Sequence, residues 1–131
     1  MTAFLRYRGK VLLLRRSGRV GTYRGRWSGV SGYLEPEDPS PLARALREVE
    51  EEVGLSASQL SLQREGEPFT FYDPEEDRSW TVHPFLFDAG TDAIRLDWES
   101  REARWVAPEE LERLPTVPRL AEALRAVLEA R

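Results

Sequence analysis

The stretch that decides the fold is Arg47-Glu48-Val49-Glu50-Glu51-Glu52-Val53-Gly54-Leu55, which forms the end of a predicted helix. Ser40 is a favoured helix N-cap, and Pro41 suits the first helical position. Gly54 is placed to end the helix. Apolar residues recur between these limits at the spacing of one helical face, namely Leu42, Ala45, Leu46, Val49 and Val53. The sequence therefore predicts an amphipathic helix between Ser40 and Gly54.

Three acids of this helix, Glu48, Glu51 and Glu52, are spaced at i, i+3 and i+4, so they project together beside the apolar face. Acidic runs are most often solvated helix faces. These acids, however, repel one another and lie in the C-terminal half of the helix, where the macrodipole disfavours negative charge. A hard divalent cation would offset both effects. We expect Glu48 and Glu52 to lie outside the core, and Glu50 to point away from the cluster.

Gly32-Tyr33-Leu34-Glu35-Pro36-Glu37-Asp38, taken with residues 47–55, resembles the Nudix box. That pattern is G-x5-E-x7-R-E-U-x-E-E-x-G-U, where U is a bulky apolar residue. The second half matches at every specified position. In the first half Asp38 replaces the first Glu, and eight residues rather than seven separate it from Arg47. We place this one-residue insertion in the turn Pro39-Ser40-Pro41.

The loop before the helix is expected to keep the geometry of the family, with the carbonyl of Gly32 directed at the metal. Arg47 should then reach back from the helix to a loop carboxylate, either Asp38 or Glu35, and Glu37 is a further substitute for Asp38. The assignment of Gly32 depends on this contact. An Arg47 side chain in solvent, without a loop partner, would contradict it.

The segments Val11–Arg16, Gly25–Gly32 and Glu102–Leu111 are also similar to flanking elements of this family, so the resemblance covers nearly the whole chain. It implies the α/β class, as an α/β/α sandwich with a mixed sheet, in a single domain over residues 1–131. It also implies a pyrophosphohydrolase that uses Mg²⁺ or Mn²⁺ to cleave a nucleoside diphosphate linked to another group.

The resemblance further implies roles for individual residues, and a carboxylate would serve as general base. Arg47, with Glu48 and Glu52, is assigned to the catalytic machinery. The implied metal ligands are the Gly32 carbonyl, Glu48, Glu51 and Glu52. The general base stays open among Glu48, Glu52, Glu99 and Glu102.

Candidate substrate contacts lie in and next to the arginine-rich loop 17–26. Guanidinium groups suit bidentate phosphate contacts, so Arg24 and Arg26 are candidates. Trp27 is a candidate for stacking on a base, although an aromatic residue on a strand more often belongs to the core. The same two interpretations apply to Tyr33, Phe71, Trp80 and Trp98.

Composition excludes several other kinds of site. The chain of 131 residues is 40% hydrophobic and 32% charged, which argues against disorder. It has no Cys and one His, which excludes disulfides and zinc sites built on thiolates or several histidines. The net charge of −4 argues against general nucleic-acid binding. No apolar run reaches the roughly 20 residues of a membrane span, and no signal peptide is evident, so we expect a cytoplasmic protein.

Outside the helix, the pattern predicts a layered α/β or α+β domain. Ala3–Tyr7 and Val11–Leu14 read as a hairpin, and Trp27–Tyr33 reads as one short strand. Pro84 is expected to mark a sheet edge or a bulge. A closing helix is expected to begin near Thr116.

Two alternatives to a pyrophosphohydrolase come from other functional classes. A non-catalytic Nudix sensor module would bind its ligand without turnover, but such modules usually carry damaged box acids or an added DNA-binding domain. An isoprenoid diphosphate isomerase of the same fold would need a set of proton-donating residues that often includes Cys. This chain has no Cys, which argues against an isomerase. The substrate stays open among oxidised nucleoside triphosphates, ADP-ribose, dinucleoside polyphosphates and nucleotide sugars, and a homodimer is also open.

Overall fold

The computed structural model describes residues 1–128 and contains nine strands and two α-helices within them. The strands are β1 (Thr2–Tyr7), β2 (Lys10–Arg16), β3 (Trp27–Ser28), β4 (Val30–Ser31), β5 (Leu60–Glu65), β6 (Phe69–Asp73), β7 (Arg78–Val82), β8 (Pro84–Ala89) and β9 (Ser100–Val106). The helices are α1 (Pro41–Val53) and α2 (Leu120–Leu128), with short 3₁₀ helices at Ala57–Gln59 and Pro108–Arg113. Within this part of the chain, no helix combines the length and apolar character needed to cross a membrane.

Seven strands form one mixed sheet with β1 near its centre. The main order is β3-β2-β1-β8-β5, while β4 pairs with β1 and β9 pairs with β2. β1 and β8 are parallel, with Ala3 opposite Phe85, and the other pairings of this sheet are antiparallel. β6 and β7 form a separate antiparallel hairpin.

The central strands are buried on both faces because each face carries a helix. Side chains alternate between the two faces of a strand, so consecutive residues of β1 enter different cores. Leu5 packs in the core that includes Val49 of α1, whereas Phe4 packs in the core that includes Leu124 of α2. The result is the α/β/α sandwich that the resemblance implies.

The predicted limits of α1 are confirmed. The Ser40 side chain accepts a hydrogen bond from the Ala43 backbone N–H at 3.1 Å, and Gly54 ends the helix in the left-handed region with φ 80°. The single strand predicted over Trp27–Tyr33 is instead the two short strands β3 and β4. These pair with different neighbours, β2 and β1, on either side of Gly29.

The expectation for Pro84 is wrong, because β8 lies between β1 and β5 inside the sheet. Pro84 is the first residue of β8, a position where a missing backbone N–H is tolerated. The closing helix is present, but it begins at Leu120 rather than near Thr116.

Candidate active site

Glu48 and Glu52, one turn apart on α1, are buried at the edge of the core. They are 8% and 3% exposed, respectively, whereas Glu50 is exposed. The expectation that both acids lie outside the core is therefore wrong. The helix packs against β4, and Gly32, the residue after β4, lies against Glu48 and covers that side of the helix.

The third member of the acidic cluster is Glu99, from the loop before β9. One carboxylate oxygen from each of Glu48, Glu52 and Glu99 lies within 4.8 Å of the others. The backbone holds Glu99 there, because its carbonyl accepts a hydrogen bond from the Ser17 N–H at 2.9 Å. The structure thus brings together two of the predicted helix acids and one of the acids predicted outside the box.

The other two predicted acids are engaged elsewhere. Glu51 lines the same cavity, but it accepts a hydrogen bond from Arg47 at 3.0 Å on the exposed side of α1. Glu102 lies on β9, where Arg15 approaches it at 3.5 Å, and it is not among the residues that line the cavity. Glu102 therefore lies outside the acidic cluster of Glu48, Glu52 and Glu99.

Burial and crowding make this cluster unfavourable without a cation. Burial raises the pKa of Glu52 to about 10, and neighbouring Glu48 and Glu99 add to the effect. Burial also raises the pKa of Glu99, with Asp97 contributing next. The Glu52 Oε2 atom is buried and has no hydrogen-bond partner among residues 1–128. A buried carboxylate oxygen without a hydrogen-bond partner, close to two further carboxylates, is suited to bind a hard divalent cation, which prefers oxygen ligands.

Gly32 adds a backbone carbonyl beside this cluster. A Cβ atom built at position 32 would lie 2.7 Å from the Cδ of Glu48, so only glycine allows the loop to approach the carboxylate so closely. The Gly32 carbonyl accepts a hydrogen bond from the α-amino group of Met1 at 2.8 Å. The loop therefore reaches the acids at the residue that the resemblance singles out.

The residue that ties the loop to α1 is Arg44, and the expectation for Arg47 is wrong. Arg44 donates to both carboxylate oxygens of Asp38, at 2.8 and 2.9 Å, and to Glu48 Oε2 at 2.9 Å. Arg47 is 64% exposed and pairs only with Glu51 among the described residues. The physical reason is helical spacing: Arg44 is four residues before Glu48 and shares its face, whereas Arg47 shares a face with Glu51.

The loop acid in this pair is Asp38, one of the two carboxylates predicted as partners of Arg47, but the arginine that binds it is Arg44. Hydrogen bonds from Arg44 hold the pKa of Asp38 below its usual range, and the Glu35 backbone N–H also donates to Asp38 at 2.8 Å. The i, i+4 spacing of Arg44 and Glu48 is the sequence signal that could have identified this arginine. The exposed Arg47 contradicts the contact on which the sequence based the Gly32 assignment, so Gly32 as a metal ligand becomes a new proposal that rests on its contact with Glu48.

A cavity of about 570 Å³ is lined by Glu48, Glu51 and Glu99 and by aromatic side chains. Its aromatic lining consists of Tyr23, Tyr33, Phe71, Trp80 and His83. Arg16, at the end of β2, also lines it and donates to the backbone carbonyl and the hydroxyl of Thr22 at 2.9 and 3.1 Å. Burial lowers the pKa of Arg16, while the nearby Glu52 and Glu99 oppose that shift.

Of the substrate contacts considered from the sequence, Tyr33, Phe71 and Trp80 line this cavity, whereas Arg24, Arg26 and Trp27 are not among its lining residues. Arg24 donates to the Val20 carbonyl at 2.8 Å, and Arg26 pairs with Glu75 at 2.9 Å. Trp27 is 4% exposed and packs in the core on the α2 face. Arg16 instead supplies the guanidinium, and its position at the last residue of an apolar strand, before a glycine-rich loop, was the available signal.

Comparisons with known proteins concern the domain as a whole. A model of the NUDIX domain family matches residues 2–127. The chain is similar to an uncharacterized Nudix hydrolase of Pseudomonas aeruginosa, with 34% identity over 128 residues, 93% of this chain and 72% of that protein. It is also similar to a Mycobacterium tuberculosis protein named "Putative 8-oxo-dGTP diphosphatase 3", with 34% identity over 134 residues.

The second of these matches covers 88% of this chain but 59% of the M. tuberculosis protein, so the chain spans less than two thirds of that relative. Among solved structures, the dihydroneopterin triphosphate pyrophosphohydrolase of E. coli has the same fold. It superposes with a TM-score of 0.80 and 22% identity, covering 98% of this chain and 94% of that one.

Proposed function

Because the chain belongs to the Nudix hydrolase family, we propose that it is a divalent-metal-dependent pyrophosphohydrolase of a nucleotide or nucleotide derivative. The observation that carries the proposal is the buried cluster of Glu48, Glu52 and Glu99, in which one Glu52 oxygen has no partner. A sensor module could dispense with these acids, whereas hydrolysis requires the charge and the metal that they supply.

The proposed cation is Mg²⁺ or Mn²⁺, held by Glu48, Glu52 and the Gly32 carbonyl. Glu51 lines the same cavity and stays in the proposed ligand set, provided that it leaves Arg47. All of these donors are oxygens, which suits both cations. A bound cation would neutralise charge on the diphosphate and lower the pKa of a bound water.

We assign the role of general base to Glu99. It lines the cavity, and the loop that carries it is anchored through its own carbonyl. In the proposed reaction Glu99 accepts a proton as a water oxygen bonds to phosphorus, and the P–O bond to the leaving phosphate breaks. Arg16 offers a guanidinium to the phosphate oxygens from the side of the cavity near Glu99.

The substrate class follows from the same cavity and from the relatives. One relative, 34% identical, is named for 8-oxo-dGTP, in which an aromatic base is joined to a triphosphate. The lining of the cavity combines the acidic side chains Glu48, Glu51 and Glu99 with aromatic rings. A nucleotide carries matching groups, a metal-binding diphosphate and a planar base. A cytoplasmic location belongs to this proposal, and a homodimer stays open.

The test is a hydrolysis screen of 8-oxo-dGTP, dGTP, ADP-ribose, diadenosine tetraphosphate and a nucleotide sugar, with products separated by chromatography. Each compound is incubated with Mg²⁺, with Mn²⁺ and with EDTA. We expect turnover of at least one compound, loss in EDTA, and recovery when either metal is restored. Undiminished turnover in EDTA would refute the metal site. Nucleotide binding without hydrolysis of any compound would favour the sensor module.

A further inference from the structure

Tyr33 is a large aromatic side chain that the fold leaves in solvent at the edge of the cavity. It is 60% exposed and lies directly after Gly32, whose backbone touches the Glu48 carboxylate. Its ring lies parallel to that of Trp80, with a centroid separation of 5.9 Å and an interplanar angle of 6°. The loop after β4 and the hairpin of β6 and β7 therefore meet through two stacked rings.

Trp80 is held in place by a chain of hydrogen bonds on the side away from solvent. Its indole N–H donates to the Tyr23 hydroxyl at 3.1 Å, and that hydroxyl donates to the carboxylate of Asp73. Asp73 is 4% exposed and also accepts a bond from the Glu75 backbone N–H at 3.0 Å. Three separate segments are thus linked behind the stacked pair, which fixes the orientation of Trp80 before any ligand arrives.

Tyr33 differs from the similarly exposed Tyr72 in lining the cavity, so its ring is accessible to a ligand bound there. A tyrosine that remains 60% exposed contributes little buried area to the core. Both Tyr33 and Trp80 line the cavity that contains the acids, so a group attached to a diphosphate at those acids would lie beside the two rings. A flat aromatic group can extend such a parallel stack, and every nucleobase offers a suitable face.

We propose that Tyr33 and Trp80 form the surface on which the nucleobase of the substrate stacks, while its diphosphate lies at Glu48, Glu52 and Glu99. The position of the diphosphate rests on the proposed function. The stacking surface would select for an aromatic base without distinguishing strongly between bases, because the contact is with the face of the ring rather than its edge.

The experiment measures binding rather than turnover, by isothermal titration calorimetry with Mg²⁺. Its probes are α,β-methylene-ADP and methylenediphosphonate, whose P–C–P links resist hydrolysis and which differ by the adenosine. Replacement of Tyr33 by Leu is expected to weaken the binding of α,β-methylene-ADP about tenfold, because one base–aromatic stack contributes on that scale. The same substitution should weaken the binding of methylenediphosphonate less than about threefold. Tyr33→Phe should retain the affinity of the wild-type protein for both probes.

Tyr72→Leu is the matched control. Tyr72 is 56% exposed, lies on the same hairpin as Trp80, and is not among the residues that line the cavity. We expect this variant to bind both probes like the wild-type protein. Quenching of tryptophan fluorescence by α,β-methylene-ADP, present in the wild-type protein and lost in Trp80→Phe, would place the base beside Trp80.

Three results would overturn the proposal: no preference of the wild-type protein for the adenosine-bearing probe, equal weakening of both probes by Tyr33→Leu, or an equal loss with Tyr72→Leu. Failure of the hydrolysis screen would leave these affinities measurable, so it would refute the enzyme without deciding the stacking surface. Conversely, if Tyr33→Leu did not weaken the binding of α,β-methylene-ADP, the stacking proposal would fail, whereas hydrolysis found in the screen would still support the enzyme.

Discussion

Replacement of Glu52 by Gln is expected to stabilise the metal-free protein while removing its activity. Glu52 is 3% exposed, and its Oε2 atom has no hydrogen-bond partner. Its pKa is raised from 4.5 to about 10 by burial and by the neighbouring acids. The folded protein therefore binds a proton at this site that the unfolded chain releases, over the whole range between these two values.

The magnitude follows from the same pKa. At about pH 7.5, ionisation of Glu52 in the unfolded chain but not in the folded protein costs about 4 kcal/mol of stability. A glutamine does not ionise and so has no such cost. Its buried amide, however, lowers the free energy of unfolding by about 1–3 kcal/mol if it lacks a hydrogen-bond partner. We therefore expect a net gain of about 1–3 kcal/mol, which corresponds to roughly 4–12 °C in Tm for a domain of this size.

The sign of the pH dependence is fixed by the direction of the shift. Because the folded protein holds the extra proton, the stability of the wild-type protein falls as the pH rises from about 4.5 towards 10. The advantage of Glu52→Gln should thus be absent near pH 4.5 and grow through the neutral range. The wild-type protein should recover stability with Mg²⁺, since a ligand at 100 times its Kd adds about 2.7 kcal/mol.

The assay is thermal unfolding by circular dichroism in EDTA and in Mg²⁺, between about pH 5 and pH 9. Glu50→Gln is the control, because Glu50 lies exposed on the same helix. Parallel pH curves of the wild-type protein and Glu52→Gln in EDTA would refute the reasoning. An equal gain from Mg²⁺ in both proteins would show that Glu52 does not hold the cation.

Further predictions concern the other charged residues of α1 and the base. Glu48→Gln should reduce kcat at least about 10²-fold, as expected for loss of a metal ligand, whereas Glu50→Gln should change steady-state turnover little. Arg44→Gln should lower the Tm, and it should lower kcat/KM roughly 10- to 100-fold because the loop is misplaced. Arg47→Gln should change neither quantity by much. Larger effects of Arg47→Gln than of Arg44→Gln would restore the role first assigned to Arg47. Glu99→Gln should lower kcat about 10²-fold, as expected for loss of a general base. The Mg²⁺ concentration that gives the half-maximal rate should stay unchanged. An increase in that Mg²⁺ concentration would identify Glu99 as a metal ligand instead.

The sequence by itself determined the elements whose causes are local. The limits of α1 follow from a capping serine, a proline at the first position and a glycine at the end, all within one segment. The spacing of Glu48 and Glu52 on one face follows from the geometry of a single helix. The family resemblance, confirmed by the match over residues 2–127, rests on the same segment and its flanks.

Burial could not be predicted from α1 alone. Glu48 and Glu52 lie at the border of the apolar face, and helical periodicity does not say what covers that border. In the folded chain β4 and Gly32 cover it, so these acids become buried groups with unfavourable charge. The assignment of the loop contact to Arg47 instead of Arg44 failed for a related reason, since the contact depends on where the loop carrying Asp38 crosses the helix.

Contacts between distant segments were decided by the tertiary structure. Glu99 joins Glu52 because the loop before β9 is anchored at Ser17, and Tyr33 meets Trp80 because a separate hairpin packs beside the loop after β4. Each pair is separated by many residues whose path the local pattern does not specify. Helix limits depend on hydrogen bonds within a few residues, whereas a site between segments depends on how the whole sheet and both helices pack.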